Sequence, residues 1–255
     1  MDNALLIGVS RQVVLERELG VVANNLANIN TTGYKADSSI FEQFLMPEAS
    51  ADAFPPDSRD LAYVRDRATW HKFAAGPTQH TGSPLDVLID GDAFLVVQTA
   101  GGQRYTRNGA LQISPNGTLV TSAGDPVLGV GGPIQFQNTD HDISIGEDGT
   151  ITVREGAAAT SDSIRGQLQL AHFVNPEALQ KEGSSLFSAP PGIAPQPPQN
   201  TRIVQGSIEQ SNVSAVAEMS RMIEITRAYE SIAGMLQQQN TERMQALDKL
   251  AAVPT

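Results

Sequence analysis

Carboxylates and imidazoles that lie close in sequence are the first candidates for chemistry in this chain. Asp86, Asp90 and Asp92 fall within one short stretch and could hold a Ca²⁺ ion. The stretch lacks the spaced oxygen ligands and terminal Glu of a calcium loop, so Asp90-Gly91-Asp92 reads as a turn. Thr139-Asp140-His141-Asp142 sets one His among carboxylates. A zinc site wants three or four ligands, and the other histidines, His71, His80 and His172, are scattered, so a solvated turn is expected. No Gly-x-Ser-x-Gly elbow, phosphate-cradling glycine loop or dinucleotide fingerprint appears. The Asn-x-Ser/Thr triplets at Asn30, Asn116 and Asn212 read as chance in an Asn-rich chain. No enzyme, cofactor or metal is expected.

The remaining chemistry is hydrogen bonding by amides. The stretch ANNLANINTTGYKA (23–36) has asparagine at four of the seven positions from 24 to 30. Asn is a poor helix former because its amide competes for backbone groups, yet this run ends an amphipathic helical pattern. Asn24, Asn25, Asn28 and Asn30 can bond across subunits and fix helix register, since an unpaired buried amide costs about 1–3 kcal/mol. Alternatively they cap and end the helix, with Gly33 as a left-handed stop.

The elements that would position these groups follow from periodicity. Residues 3–30 read as a helix, with Leu15, Leu19, Val22, Leu26 and Ile29 at heptad spacing. Residues 209–250 read as a second, longer helix. It carries one stripe of Met222, Ile225, Tyr229, Ile232 and Leu236, and another that includes Met219 and Ile223. Two stripes imply cover on more than one side. Residues 38–80 contain Pro47, Pro55 and Pro56 and read mostly as loop or extended chain. Residues 83–174 are a series of short β-rich runs (LDVLI, AFLVVQ, ALQIS, TLVTS, QLQLAHFV) separated by turn pairs, among them Asn108-Gly109, Asn116-Gly117 and Asp148-Gly149. Asn-Gly and Asp-Gly between strands signal hairpins. Five prolines between Pro190 and Pro198 make a stiff extended return. The expected fold is α+β: long terminal helices, coiled-coil-like and packed together, around an all-β middle of barrel or Greek-key character. Expected segments are 1–37, 38–82, 83–189, 190–208 and 209–255.

Composition narrows the function. The net charge of −11 is concentrated in the middle, where 38–208 carries ten basic and eighteen acidic residues. No Lys/Arg stripe exists to meet phosphates, which argues against nucleic acid and anionic membrane surfaces. With no cysteine, disulfides and Cys-ligated metals are excluded. No apolar run of about 18 residues suggests a membrane span, and MDNALLIGVSRQ has Asp2 where a secretory signal is positive. Two helices leave apolar surface uncovered, so the pattern points to a polymer subunit whose ends share a helical core with neighbours.

The stretch ANNLANINTTGYKA resembles the N-terminal signature of bacterial flagellar rod and hook axial proteins. The run IEQSNVSAVAEMSRMIEITRAYES (208–231) resembles their closing helix. The runs at 83–129 and 173–189 resemble their shared β-domain. Only 38–80 and 190–203 fall outside the resemblance. The opening MDNALLIGVSRQ and the short 38–80 region are most similar to the proximal rod branch, with the distal branch as the alternative. Departures are small: Tyr34 stands where Phe is common, Ser83 where Asn is common, and Ala93-Phe94-Leu95 where Gly and two aromatics are common. The resemblance implies a structural subunit of the basal-body rod, a torque-transmitting axial shaft crossing the periplasm. It implies partners among proximal and distal rod subunits and further copies of itself. It also implies export through the flagellar type III apparatus without a cleaved signal, with no nucleic acid and no membrane insertion. On this basis the expected subunit-interface residues are Leu15, Leu19, Val22, Asn24, Asn25, Leu26, Asn28, Ile29, Gly33, Tyr34, Met219, Met222, Ile223, Ile225, Tyr229, Ile232 and Leu236. The competing classes are a β-domain enzyme, which would be indifferent to its ends, and a coiled-coil adhesin, which needs a secretion signal or an anchor.

Overall fold

The structure, a computed structural model, describes residues 2–45, 62–156, 162–183 and 185–251. The chain divides into two compact units, each assembled from separated segments. The first takes 2–27, 37–45, 62–71 and 214–251; the second takes the described residues of 28–36 and 72–213.

In the first unit, helix α1 (Asp2–Ala27) pairs with helix α2 (Ala215–Ala251). At 1.5 Å per residue they are about 39 Å and about 55 Å long. Leu15, Val22 and Ile225 form the seam, with Leu19, Met222, Ala228 and Ile232 packed beside them. The helices run antiparallel: Gly8 lies against Leu236, where an added Cβ would stand 2.7 Å from a Leu236 methyl, and Glu18 meets Arg221 at 2.6 Å. α1 stops at Ala27, short of the expected residue 30, because the asparagines turn the chain: Thr31 N–H donates to the Asn28 carbonyl at 3.1 Å. α2 starts at Ala215 rather than 209, because 207–209 is spent on a strand.

The first unit also holds an antiparallel strand pair, Asp37–Leu45 with Ala62–His71. The reading of 38–80 as loop or extended chain thus resolves into paired strands at 38–45 and 62–71. Its breaking prolines, Pro47, Pro55 and Pro56, all fall outside the described residues, while DSSIFEQFL and AYVRDRATWH on either side are rich in aromatic and β-branched residues that favour strands.

The second unit is β-rich and antiparallel. Its largest sheet runs in the order Leu170–His172, Ala93–Thr99, Gly102–Thr106, Leu186–Ser188, Gln180–Glu182. The run AFLVVQ lacks alternation because both of its faces are covered. Ala93, Leu95 and Val97 point into an aliphatic core with Val87, Ile89, Leu119, Ile151 and Ile203. Phe94 and Val96 point the other way, towards Tyr105, Phe173 and Phe187. Asn116-Gly117 turns the hairpin between Leu111–Ile113 and Leu119–Thr121, with Gly117 at φ +80°. Asn108-Gly109 makes no hairpin. The Gly109 carbonyl accepts from Val87 N–H at 3.0 Å, and a Cβ there would overlap the Val87 carbonyl oxygen, 1.7 Å away. The proline-rich return ends in ladders: Gln196 exchanges two 2.9 Å backbone bonds with His172, and Arg202–Gln205 pairs with Val87–Asp90.

Candidate functional site

The acidic stretches behave as turns. Asp86 accepts from the Thr81 hydroxyl at 2.7 Å, Asp90 pairs with Arg202 at 2.7 Å, and Asp140 pairs with Arg165. Among the described residues no three His, Asp or Glu side chains converge as a cation site. The polar and apolar groups that distinguish the chain lie instead on its terminal segments.

The residues expected at subunit contacts divide into four groups. Leu15, Val22 and Ile225 are buried between α1 and α2 of the same chain, with Leu19, Met222 and Ile232 beside them. Leu236 is half-buried against Gly8. These side chains are largely occupied before any neighbour arrives. Met219, Ile223 and Tyr229 face outward, 45%, 53% and 40% exposed. Val9, Val13, Val216 and Met235 are also exposed apolar side chains and were not among the expected residues. Their signal was available, since 9 and 13 are four apart, and 216, 219 and 223 follow a 3,4 rhythm on one helix face. Met244 and Leu247 continue the exposed apolar surface along α2.

The asparagines differ from one another. Asn24 is exposed, and Leu26, Asn28 and Ile29 are half-buried. Asn25 is 1% exposed. Its Oδ1 accepts from Asp37 N–H at 2.9 Å and its Nδ2 donates to the Asp37 carbonyl at 2.8 Å. Within the chain, Asn25 therefore holds the first residue of a strand to the last turn of α1. Asp37 in turn meets His71 Nδ1 at 2.7 Å across the ladder.

Gly33 and Tyr34 are buried in the second unit and present no surface to a neighbour. Gly33, at φ +66°, is not a helix stop: its N–H donates to the Glu209 carbonyl at 2.8 Å, and a Cβ there would stand 2.4 Å from the Arg107 backbone. The Tyr34 ring lies 3.6 Å below the Lys181 ammonium.

Around them is a charged cluster that no sequence pattern announced. The Lys35 side chain is fully buried and its Nζ donates to Glu209 Oε1 at 2.6 Å and to the Ala74 carbonyl at 3.0 Å. The same Glu209 oxygen accepts from Gly76 N–H at 2.7 Å. Arg107, 5% exposed, stands 3.8 Å from the other Glu209 oxygen and caps the carbonyls of Ile89 and Gly91. Burial pushes the Lys35 ammonium below its ordinary value while Glu209 works to raise it; Arg107 is lowered by burial in the same way. Asn212 completes the cluster. It accepts from Ala36 N–H at 2.8 Å and donates to the carbonyls of Lys72 and Ala74 at 2.7 and 2.9 Å. Lys35 and Glu209 are 174 positions apart, so neither periodicity nor spacing could pair them.

Three family models match the chain in order. Residues 5–35 match the flagella basal body rod protein model, 88–153 the flagellar hook protein FlgE/F/G D1 domain, and 204–250 the flagellar basal body rod FlgEFG protein C-terminal model. The chain is 38% identical to the flagellar basal-body rod protein FlgF of Caulobacter vibrioides, covering 99% of this chain and 100% of that protein. It is 30% identical to FlgF of Mesorhizobium japonicum, covering 99% of each. It is 36% identical to the rod protein FlgG of Buchnera aphidicola subsp. Baizongia pistaciae, covering 83% of this chain and 86% of that one.

Proposed function

The chain belongs to the flagellar basal-body rod protein family, and we propose that it is a structural subunit of the proximal rod that polymerises through its terminal helices. The observation that carries this reading is the uncovered apolar face of those helices. After α1 and α2 have packed together, Val13, Val216, Met219 and Ile223 are still 45–73% exposed. Exposed apolar side chains that share one helix face, as Val216, Met219 and Ile223 do by their spacing, mark contact sites. Each side chain buried on assembly contributes about 1.5–3 kcal/mol, so a few per subunit decide whether the shaft holds.

Several finer features belong to the same proposal. Neighbouring helices pack in a coiled-coil-like manner, favoured by the 3,4 spacing of both stripes. The β-rich middle closes in a barrel or Greek-key manner, favoured by ladders between distant strands such as 87–90 with 202–205. Similarity to proteins named FlgF over 98–99% of this chain, against 83–91% for those named FlgG, favours the proximal position over the distal one. The chain acts as a scaffold rather than an enzyme, and its partners are other rod subunits and further copies of itself. Export through the flagellar type III apparatus and a place in the periplasm follow from the family resemblance. The amides of Asn24, Asn25 and Asn28 are proposed to fix register, Asn25 by way of the strand it holds at Asp37.

The test places charge on the outward face. Val13→Glu and Ile223→Glu alter exposed positions, so the isolated chain should keep its stability. Rod assembly, scored by recovery of basal bodies and by motility, should be lost. Normal assembly of the double variant would refute the helix-face reading.

A further inference from the structure

The second unit is built from both ends of the chain, and its buried charges show when it can close. We infer that the Lys35–Arg107–Glu209 cluster is a completion latch: the β-rich unit closes only when residues 33–36 and 203–212 are both in place.

Three independent features support the latch. The first is electrostatic. Lys35 and Arg107 are both buried, at 1% and 5% exposure, and Glu209 is the one buried carboxylate that reaches them among the described residues. Asp92 also attracts both cations, but its side chain is exposed to water. Without Glu209, two cations would enter a dry site with no buried counter-charge, and an uncompensated buried charge is strongly destabilising. The second is the ladder. Val87–Asp90 takes its strand partner from Arg202–Gln205, and Thr78–His80 takes its partner from Ser207–Glu209. Ile203, 1% exposed, is part of the same core as Val87, Ile89 and Leu119. The core therefore lacks a wall until the last strands arrive. The third is steric. Glycine at 33 and 76 lets the backbones of 107 and 210 pass where a Cβ would stand 2.4 and 2.0 Å away. The approach is tight enough that these contacts require all the segments to be in place.

A chain threaded or synthesised from its N-terminus would thus stay open until residues 203–212 have emerged, and their arrival would trigger closure. This property is independent of whether the helices assemble with neighbours.

The test is hydrogen exchange on the full chain, comparing wild type with Glu209→Gln and with Lys35→Met/Glu209→Gln. Glu209→Gln keeps the side-chain shape and removes the charge. It should speed exchange at Val97, Leu119 and Ile151, deep in the core, by roughly 100-fold or more. The seam residues 222–232 of α2 should be unaffected. The double variant removes one of the two cations left without a buried counter-charge and should recover at least about tenfold of that loss. If only 33–36, 76 and 207–212 exchange faster while Val97, Leu119 and Ile151 keep their protection, the cluster is a local fastener and the inference is overturned. If Glu209→Gln fails to fold, a folded double variant supports the latch and an unfolded one overturns it.

Discussion

Gly33→Ala separates the two roles this glycine could have. If Gly33 merely stopped α1, an alanine would cost the left-handed strain alone, about 1–2 kcal/mol, reduced by about 0.4–1 kcal/mol for the stiffer unfolded chain. The structure demands more. A Cβ at 33 would stand 2.4–2.5 Å from the Arg107 carbonyl carbon and oxygen and from Asn108 N. That is about 1 Å inside ordinary contact. These are backbone atoms next to the buried Arg107, so they cannot swing aside. The segment must retreat and give up the 2.8 Å bond from Gly33 N–H to the Glu209 carbonyl, which costs a further ~1–3 kcal/mol for a buried pair. The sum is about 1–4.5 kcal/mol, whose upper end is a large part of the ~5–15 kcal/mol that holds a typical domain. Gly82 is the control, because it has φ +73° with nothing within 4 Å, and Gly82→Ala should cost only about 1 kcal/mol. Urea denaturation of the full chain, read by exchange at Val97 and Leu119 in the second unit, measures both. Equal losses for Gly33→Ala and Gly82→Ala, within about 0.5 kcal/mol, would refute the close-approach reasoning.

Other outcomes follow from the same contacts. Phe94→Ala removes a ring that is 1% exposed, meets Phe73, Phe173 and Phe187, and lies under Arg107; the second unit should lose about 3–5 kcal/mol in urea denaturation. Arg221→Ala breaks the helix-to-helix ion pair with Glu18, but the pair is partly solvated, so a double-mutant cycle should return a coupling of at most about 1 kcal/mol. Gly20→Ala, on an open helix surface, should stabilise α1 by ~0.5–1 kcal/mol and raise its amide protection. Hydrogen bonds from Arg165 hold the Asp140 carboxyl below the usual carboxylate range. A depressed native value means stability that is complete above the unfolded pKa of about 3.9 and lost as pH falls through the native one. Asp140→Asn should therefore flatten the acid limb of a stability-against-pH curve below about pH 4 and leave its shape near neutrality unchanged.

What the sequence disclosed depended on the range of the interaction. AFLVVQ announced a strand buried on both faces, and the 3,4 spacing of Leu15, Leu19 and Val22 announced a helix seam, because both signals are local. The same spacing did not say which side chains the partner helix of the same chain would take and which would stay outside. Ile225 and Ile223 look alike in sequence, and only the path of α1 makes one buried and the other exposed. Asn108-Gly109 looked like a hairpin turn because the dipeptide signal is local, but at that position the glycine serves a backbone crossing with Val87 instead. The strands at 37–45 and 62–71 were masked by the prolines between them. Lys35, Arg107 and Glu209 were each visible as an ordinary charge. Their meeting depends on the whole topology and leaves no periodic trace, and Asn212 gave no more sign of its three side-chain partners than any other asparagine near a helix start.

The clasp at Asn212 has a mechanical consequence. Tension drawn through residues 72 and 213 would not shear the strands past one another. Thr78 and Glu209 are directly paired in an antiparallel ladder, so the pull would open that ladder from its end, rung by rung. Ladders loaded in this way yield at low force, since one bond at a time carries the whole strain. Asn212 bridges Lys72, Ala74 and Ala36 directly in front of the first rung, and Lys35 pins Glu209 on that rung from the side. Resistance to peeling is therefore concentrated at the entrance, in the Asn212 bonds, the 2.9 Å bond from Gln210 N–H to the Pro77 carbonyl and the Lys35–Glu209 ion pair.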